Sequence, residues 1–329
     1  MAFCAGMRFF SPRELAWGLG RRWRGDGRKF IFLYHRIASP EDDPFALAVP
    51  ENWFHDHLEI LRSHCRLVSL DEILSARVAK SSVVASITFD DGYADNLRTA
   101  APILRLAGIP VTFFICTGCL GDVRGFWWDR LASAISAADG LPPQFEGVRG
   151  VPLAVDLSSR ESRRKATLDI ALRLQRMHPL ERDRVVADLE NVLLSGDRGN
   201  LEPCPVLDEA GVRELDSQPL ALLAAHTENH AMLSMLSRDE QLAEISRNVR
   251  KLEDITGTRP RFLAYPYGNE QAYNPDSRHA ARDAGLEAAF VNHPAPFDPR
   301  SEPYRVPRYY VPPLPADQFR RWLHGIFGR

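Results

Sequence analysis

The stretch Ile87-Thr88-Phe89-Asp90-Asp91-Gly92-Tyr93 ends an apolar run with two adjacent carboxylates and a turn glycine. Val83, Val84, Ile87 and Phe89 have the β-branched and aromatic character of a buried strand, and Gly92 punctuates its end. Such a strand delivers two negative charges to a loop, where they repel unless something positive lies beside them. Far downstream, His226-Thr227-Glu228-Asn229-His230 offers two imidazoles at i, i+4, which on a helical turn would face one way. Each piece has a plainer reading. An Asp-Asp pair serves as a helix N-cap or a solvated turn, and a histidine pair sits equally well on a surface helix. Together, one carboxylate and two imidazoles make a donor set suited to zinc or a similar transition metal with positions left open. The other aspartate is then free to act as a base.

At 329 residues, the chain is long enough for one large α/β barrel or about two ordinary domains. Its 45% hydrophobic content fills a substantial core, and a formal charge of -2 demands neither nucleic acid nor a uniformly charged partner. Five cysteines, odd in number and irregularly spaced, make no disulfide framework and point to a reducing compartment. Cys116-Thr117-Gly118-Cys119 matches C-x-x-C but lacks a second pair, so it reads as two small residues at a strand end. The apolar run before Arg8 is too short for a secretory signal, and no stretch approaches the ~20 apolar residues of a membrane span. The expected location is cytoplasmic.

Taken in order, Ser11-Pro12-Arg13-Glu14 reads as a capping box opening an amphipathic, basic helix within 1–28. Phe30 to Tyr34 makes a first buried strand ending at His35, and helices are expected over 50–64 and 70–76. Trp53 and Phe54 are read there as core. Strands near 30, 83, 111, 220, 262, 288 and 306 alternate with helices, among them one capped by Ser237 and closed by Gly257. The barrel is thus assigned to 29–120 and 207–312, and 121–206 to an inserted helical cap beside the catalytic mouth. A second amphipathic basic helix is expected over 313–329; packing onto the barrel is the plainer reading of the first, and the two ends together are a candidate surface for peripheral contact with the inner face of a membrane.

Thr88-Phe89-Asp90-Asp91-Gly92, His226-Thr227-x-x-His230 and Tyr265-Pro266-Tyr267-Gly268 occur in that order. In them the chain resembles the polysaccharide deacetylases, the NodB-homology group of carbohydrate esterases, over roughly residues 30 to 312. The resemblance implies an α/β fold, a distorted, incomplete (β/α)7 barrel, and metal-dependent removal of an N-acetyl group from a sugar. It makes Asp91, His226 and His230 the ligands of one divalent transition metal, zinc by preference. Asp90 falls on the family's base position, and Tyr267 on the residue whose backbone N–H helps hold the oxyanion. Tyr93, Trp127, Trp128 and Pro266 are candidate sugar contacts.

Two positions depart from the family. The arginine that orients the base ahead of the Pro-Tyr-Gly turn is replaced by Ala264, leaving Arg308 as the candidate and Arg261 as a weaker one. The Leu-x-His motif that supplies the general acid has no match; His35 is the candidate, ahead of His293 and His324. Two other readings remain open. One is a hydrolase of a formamide or another C–N bond, and the other is a barrel that binds a glycan without turning it over.

Overall fold

Parallel strands form where the chain offers short, continuous apolar runs, because such strands are buried on both faces. The computed structural model describes residues 28–75, 82–138, 140, 147–149, 151–152, 156–194 and 203–328. In chain order the barrel strands are β1 Arg28–Tyr34, β2 Val83–Phe89, β3 Val111–Ile115, β4 Ala221–Ala225, β5 Phe262–Ala264 and β6 Ala288–Val291, followed by the short β7 Val306–Pro307 and β8 Tyr309–Tyr310. Their order in the sheet is β7-β6-β5-β4-β3-β2-β1-β8, and every pairing is parallel. The result is a nearly closed α/β barrel, in keeping with the distorted seven-stranded expectation.

The seventh expected strand is the one that differs. It is broken at Arg308: Val306 and Pro307 pair with Phe290 and Val291 of β6, whereas Tyr309 and Tyr310 pair with Phe32 and Leu33 of β1. Pro307 has no N–H to give a ladder, and the change of partner happens one residue later. The last strand therefore joins both edges of the sheet.

Register decides what reaches the rim. Tyr34 lies opposite Phe89, so His35 and Asp90 leave adjacent strands at the same level, and the Asp90 N–H donates to the Tyr34 carbonyl at 3.0 Å. Ala225 lies opposite Ile115, which brings His226 to the same end. Helices cover the outside. That over Arg238–Thr256 starts at the expected Ser237 capping box and stops at Gly257, whose φ of 74° is the left-handed C-cap that glycine adopts without a Cβ penalty.

The inserted segment contributes helices Trp127–Ala137, Arg160–Leu174 and Pro179–Leu193. Their buried faces share one apolar cluster with Phe45, Met232 and Tyr267, so the insertion packs onto the rim that carries the histidines. Of the two terminal helices, the one expected within 1–28 lies outside the described residues, apart from Arg28, which opens β1. The other spans Ala316–Phe327 and is seated on the barrel: Phe319 stacks on His57 at 3.7 Å, and Phe327 meets Phe30 at 4.6 Å between ring centroids. The apolar side expected to meet a membrane is thus covered by protein, and Arg320 and Arg321 face solvent. No helix among the described residues is long and apolar enough to cross a membrane.

Candidate active site

The Asp-Asp pair sits where β2 stops. Asp91 has a φ of 77° and Gly92 of 91°; a Cβ on Gly92 would lie 3.1 Å from the Ile115 side chain, tighter than ordinary contact, and the positive φ favours glycine there. Asp90 and Asp91 are both buried, and they have separate partners. Arg308 grips Asp90 with two parallel bonds, Nη1 to Oδ1 and Nη2 to Oδ2, each 2.7 Å. The same guanidinium donates to Asn292 Oδ1 at 2.9 Å, and Asn292 Nδ2 donates to the Tyr267 carbonyl at 3.0 Å. The break in the last strand puts Arg308 opposite Asp90, the contact that the sequence reading assigned to Arg308 once Ala264 left the family's arginine position empty. Arg261 instead pairs with Glu287 and Asp71 at the surface.

Asp91 faces the histidines. One of its oxygens lies 3.3 Å from His226 Nε2 and 3.3 Å from His230 Nε2, and the donor atoms of all three residues fall within 4.8 Å of one another. His226 Nδ1 is 2.8 Å from the Ala264 carbonyl, which only accepts, so Nδ1 carries the proton and a neutral ring turns the Nε2 lone pair on Asp91. That carboxylate oxygen is buried and has no hydrogen-bond partner among the described residues. A lone pair aimed at an orphaned anion is a donor set built for a cation, and two nitrogens with one oxygen match a transition metal better than calcium or magnesium. His230 Nδ1 has no partner of its own among the described residues.

The three groups are electrostatically coupled. Burial alone would raise the pKa of Asp91, but His226 and His230 outweigh it and hold the carboxylate well below its usual range. Burial pushes His230 down to about 4 and keeps it neutral, as a ligand must be. Burial also opposes the charged form of His226, yet Asp90, Asp91 and the Ala264 carbonyl together raise its pKa. His35 is lowered, by burial first, against the pull of Asp91 and Asp90.

The histidine pair is not on a helical turn. Residues 226–230 form an irregular loop in which Thr227 and His230 have φ of 63° and 48°. Remote side chains hold it in that sparsely populated conformation. Asn248 Oδ1 accepts from the His226 N–H at 3.0 Å, Glu244 takes the Asn229 N–H at 2.8 Å, and buried Arg182 donates to the Asn229 and His230 carbonyls. No local pattern in the sequence signals these three residues.

A cavity of about 680 Å3 contains Asp90, Asp91, His226, His230, His35 and Tyr267. Trp127 and Trp128 line it, as expected, and so does Trp53, which the sequence reading had assigned to the core. Tyr93 does not line it. Its ring is fully buried under the Arg36 guanidinium, its hydroxyl donates to Asp129 Oδ2 at 2.9 Å, and Trp128 Nε1 donates to that hydroxyl at 2.8 Å. Tyr93 is thus a support beneath Trp128 rather than a sugar contact. Pro266 is likewise buried and outside the cavity wall. His293 does not line the cavity, and His324 faces His64 across two helices, Nε2 to Nε2 at 3.1 Å. Of the three histidines considered for the acid, only His35 is in the cavity.

Comparison with known proteins agrees with this arrangement. The sequence profile of the family described as polysaccharide deacetylase matches residues 77–136 and 197–289. The chain is 30% identical over 95 residues to YxkH of Bacillus subtilis (strain 168), a match spanning 28% of this chain and 33% of that protein's length. Among solved structures, it is similar to IcaB from Ammonifex degensii (TM-score 0.56, 17% identity, 91% of this chain and 97% of that one). It is also similar to the Streptococcus pyogenes deacetylase PplD in complex with acetate (TM-score 0.55, 16% identity, 89% and 97%).

Proposed function

Because this chain belongs to the polysaccharide deacetylase family, we propose that it hydrolyses the acetamide of an N-acetylated sugar at a centre built from Asp91, His226 and His230. The observation that carries this reading is the convergence of two imidazole Nε2 atoms on one orphaned Asp91 oxygen, 3.3 Å from each. A divalent transition metal bound there, zinc by preference, lowers the pKa of a water and polarises the acyl carbonyl.

The chain's own residues do the rest. Arg308 fixes Asp90 through both oxygens, yet each carboxylate oxygen keeps a second lone pair, so Asp90 accepts the proton of the attacking water. The Tyr267 backbone N–H is assigned to the developing oxyanion. The departing amine needs a proton, and supplying it is assigned to His35, which burial holds neutral at rest and which must first take up the proton that Asp90 draws from the water. His35 leaves the strand beside that of Asp90 and has a buried Nδ1 with no hydrogen-bond partner among the described residues.

Purified protein assayed on N-acetylated, N-formylated and O-acetylated sugars, with and without a chelator, tests the proposal. The expected result is about one metal ion per chain by elemental analysis, acetate release from the N-acetyl sugar, and loss of both on chelation. Faster release of formate would move the substrate to a formamide. Full activity with stoichiometric metal in His226→Ala/His230→Ala would place the centre elsewhere.

A further inference from the structure

The wall of the catalytic cavity is not what a bare sugar needs. Hydroxyls desolvated against protein must find hydrogen-bond partners or lose a large part of their binding energy. Pro40, Phe45, Leu47, Trp53 and Pro313 contribute carbon to one wall, with the Tyr310 ring. Two of the polar groups that line the cavity with them, Asp43 and Tyr310, bond the protein's own backbone. The Asp43 carboxylate takes the N–H groups of Leu47 at 3.0 Å and Ala48 at 2.8 Å, and the Tyr310 hydroxyl donates to the Ala46 carbonyl. Arg164, also in the lining, donates to the Pro44 carbonyl at 3.4 Å.

The metal side offers no comparable room. Around His230 the rings of Trp128 and Tyr267 stand 4.6 and 4.8 Å away between centroids, with Phe126 at 6.0 Å. An acyl group whose carbonyl reaches the centre meets the Trp128 and Tyr267 rings in the cavity lining, so it is short. The apolar room therefore belongs to another part of the substrate.

We propose that this wall receives a hydrocarbon aglycone, so that the substrate is an N-acetyl sugar glycosidically linked to an apolar chain rather than a bare saccharide. The inference rests on the deacetylase reading and deepens it. Each methylene buried in such a wall strengthens binding about fourfold. Hydrocarbon also leaves no hydroxyl unpaired there.

The test compares methyl, butyl, hexyl and octyl glycosides of N-acetylglucosamine, with binding followed in parallel by tryptophan fluorescence. The expected result is that kcat/KM rises at least 10-fold from methyl to octyl, mainly through KM, and that Trp53→Ala and, separately, Leu47→Asn reduce this ratio towards one. Equal kcat/KM along the series would overturn the inference and leave the deacetylase reading standing. A gain that follows N-acyl length at a fixed methyl aglycone would overturn it too, because the chain would then enter from the acyl side. If no glycoside is hydrolysed but octyl binds at least 10-fold tighter than methyl, the apolar subsite stands and the deacetylase reading falls. Without that tightening, the subsite falls as well.

Discussion

Arg308 is fully buried, and the carboxylate it holds is almost as dry, so neither charge has water to turn to if the other is removed. Breaking such a pair from one side costs about 3 to 5 kcal/mol, whereas replacing both charges costs far less. Arg308→Met should therefore lower stability by that amount in urea unfolding, and Arg308→Met/Asp90→Asn should recover much of it while remaining inactive. If the single and double variants unfold alike, the pair does not hold the two residues as described. Asp129 supplies a pH signature. Burial raises its pKa from 3.8 to about 7, so between those values the folded state binds the extra proton. Its contribution to stability is full below about pH 4 and is lost as pH rises through about 7. Asp129→Asn should flatten that part of the melting-temperature profile; an unchanged slope would assign it to other groups. At this scale the sequence spoke through motifs. Asp90, Asp91, His226 and His230 could be named because their types and order are informative, and Arg308 because it lies near the last strand. Asn292, Asn248 and Glu244 could not, since each acts on a partner in another element. Tyr93 was misassigned because an aromatic beside a catalytic aspartate looks the same whether it supports the wall or forms it.

Two glycines separate what a turn needs from what a site needs. Gly257 and Gly268 share a left-handed backbone, with φ of 74° and 62°. A Cβ on Gly257 would meet nothing within 4 Å, while one on Gly268 would lie 2.6 Å from Asn292 Cγ and 2.7 Å from its backbone nitrogen. Gly257→Ala should cost on the order of 1 kcal/mol and leave turnover intact. Gly268→Ala should cost more and reduce kcat by at least 10-fold, because it moves the residue that bridges Arg308 and Tyr267. Equal kcat in the two variants would show that Asn292 positions nothing. The contrast also explains which elements could be read from sequence. The helix over Arg238–Thr256 announces itself at both ends because a capping box and a C-cap glycine are local signals. The conformation of the loop over 226–230 was not legible, because it is imposed by Asn248, Glu244 and Arg182, of which the nearest in sequence is 14 residues beyond His230.

For the whole molecule, alternating strands and helices disclosed a parallel α/β fold, the family resemblance made it a barrel, and the spacing of apolar runs placed all seven strand positions. How the barrel closes was not legible, because the final strand changes partner in its middle and periodicity is blind to pairing. The basic helix over 316–327 was equally ambiguous, since an amphipathic pattern does not say whether its apolar side meets lipid or protein. The broken strand has a consequence for the order in which the protein becomes itself. A chain made from its amino end can pair β1 with β2 and set out the histidines long before residue 308 exists. The clamp on Asp90 and the final seam are then completed together, by a segment that emerges after all the other barrel strands. Ribosome-tethered chains stopped short of residue 305 should therefore lack turnover, and those extended far enough to expose residue 327 should gain it. Measurable turnover in the shorter chains would mean that the base needs no clamp.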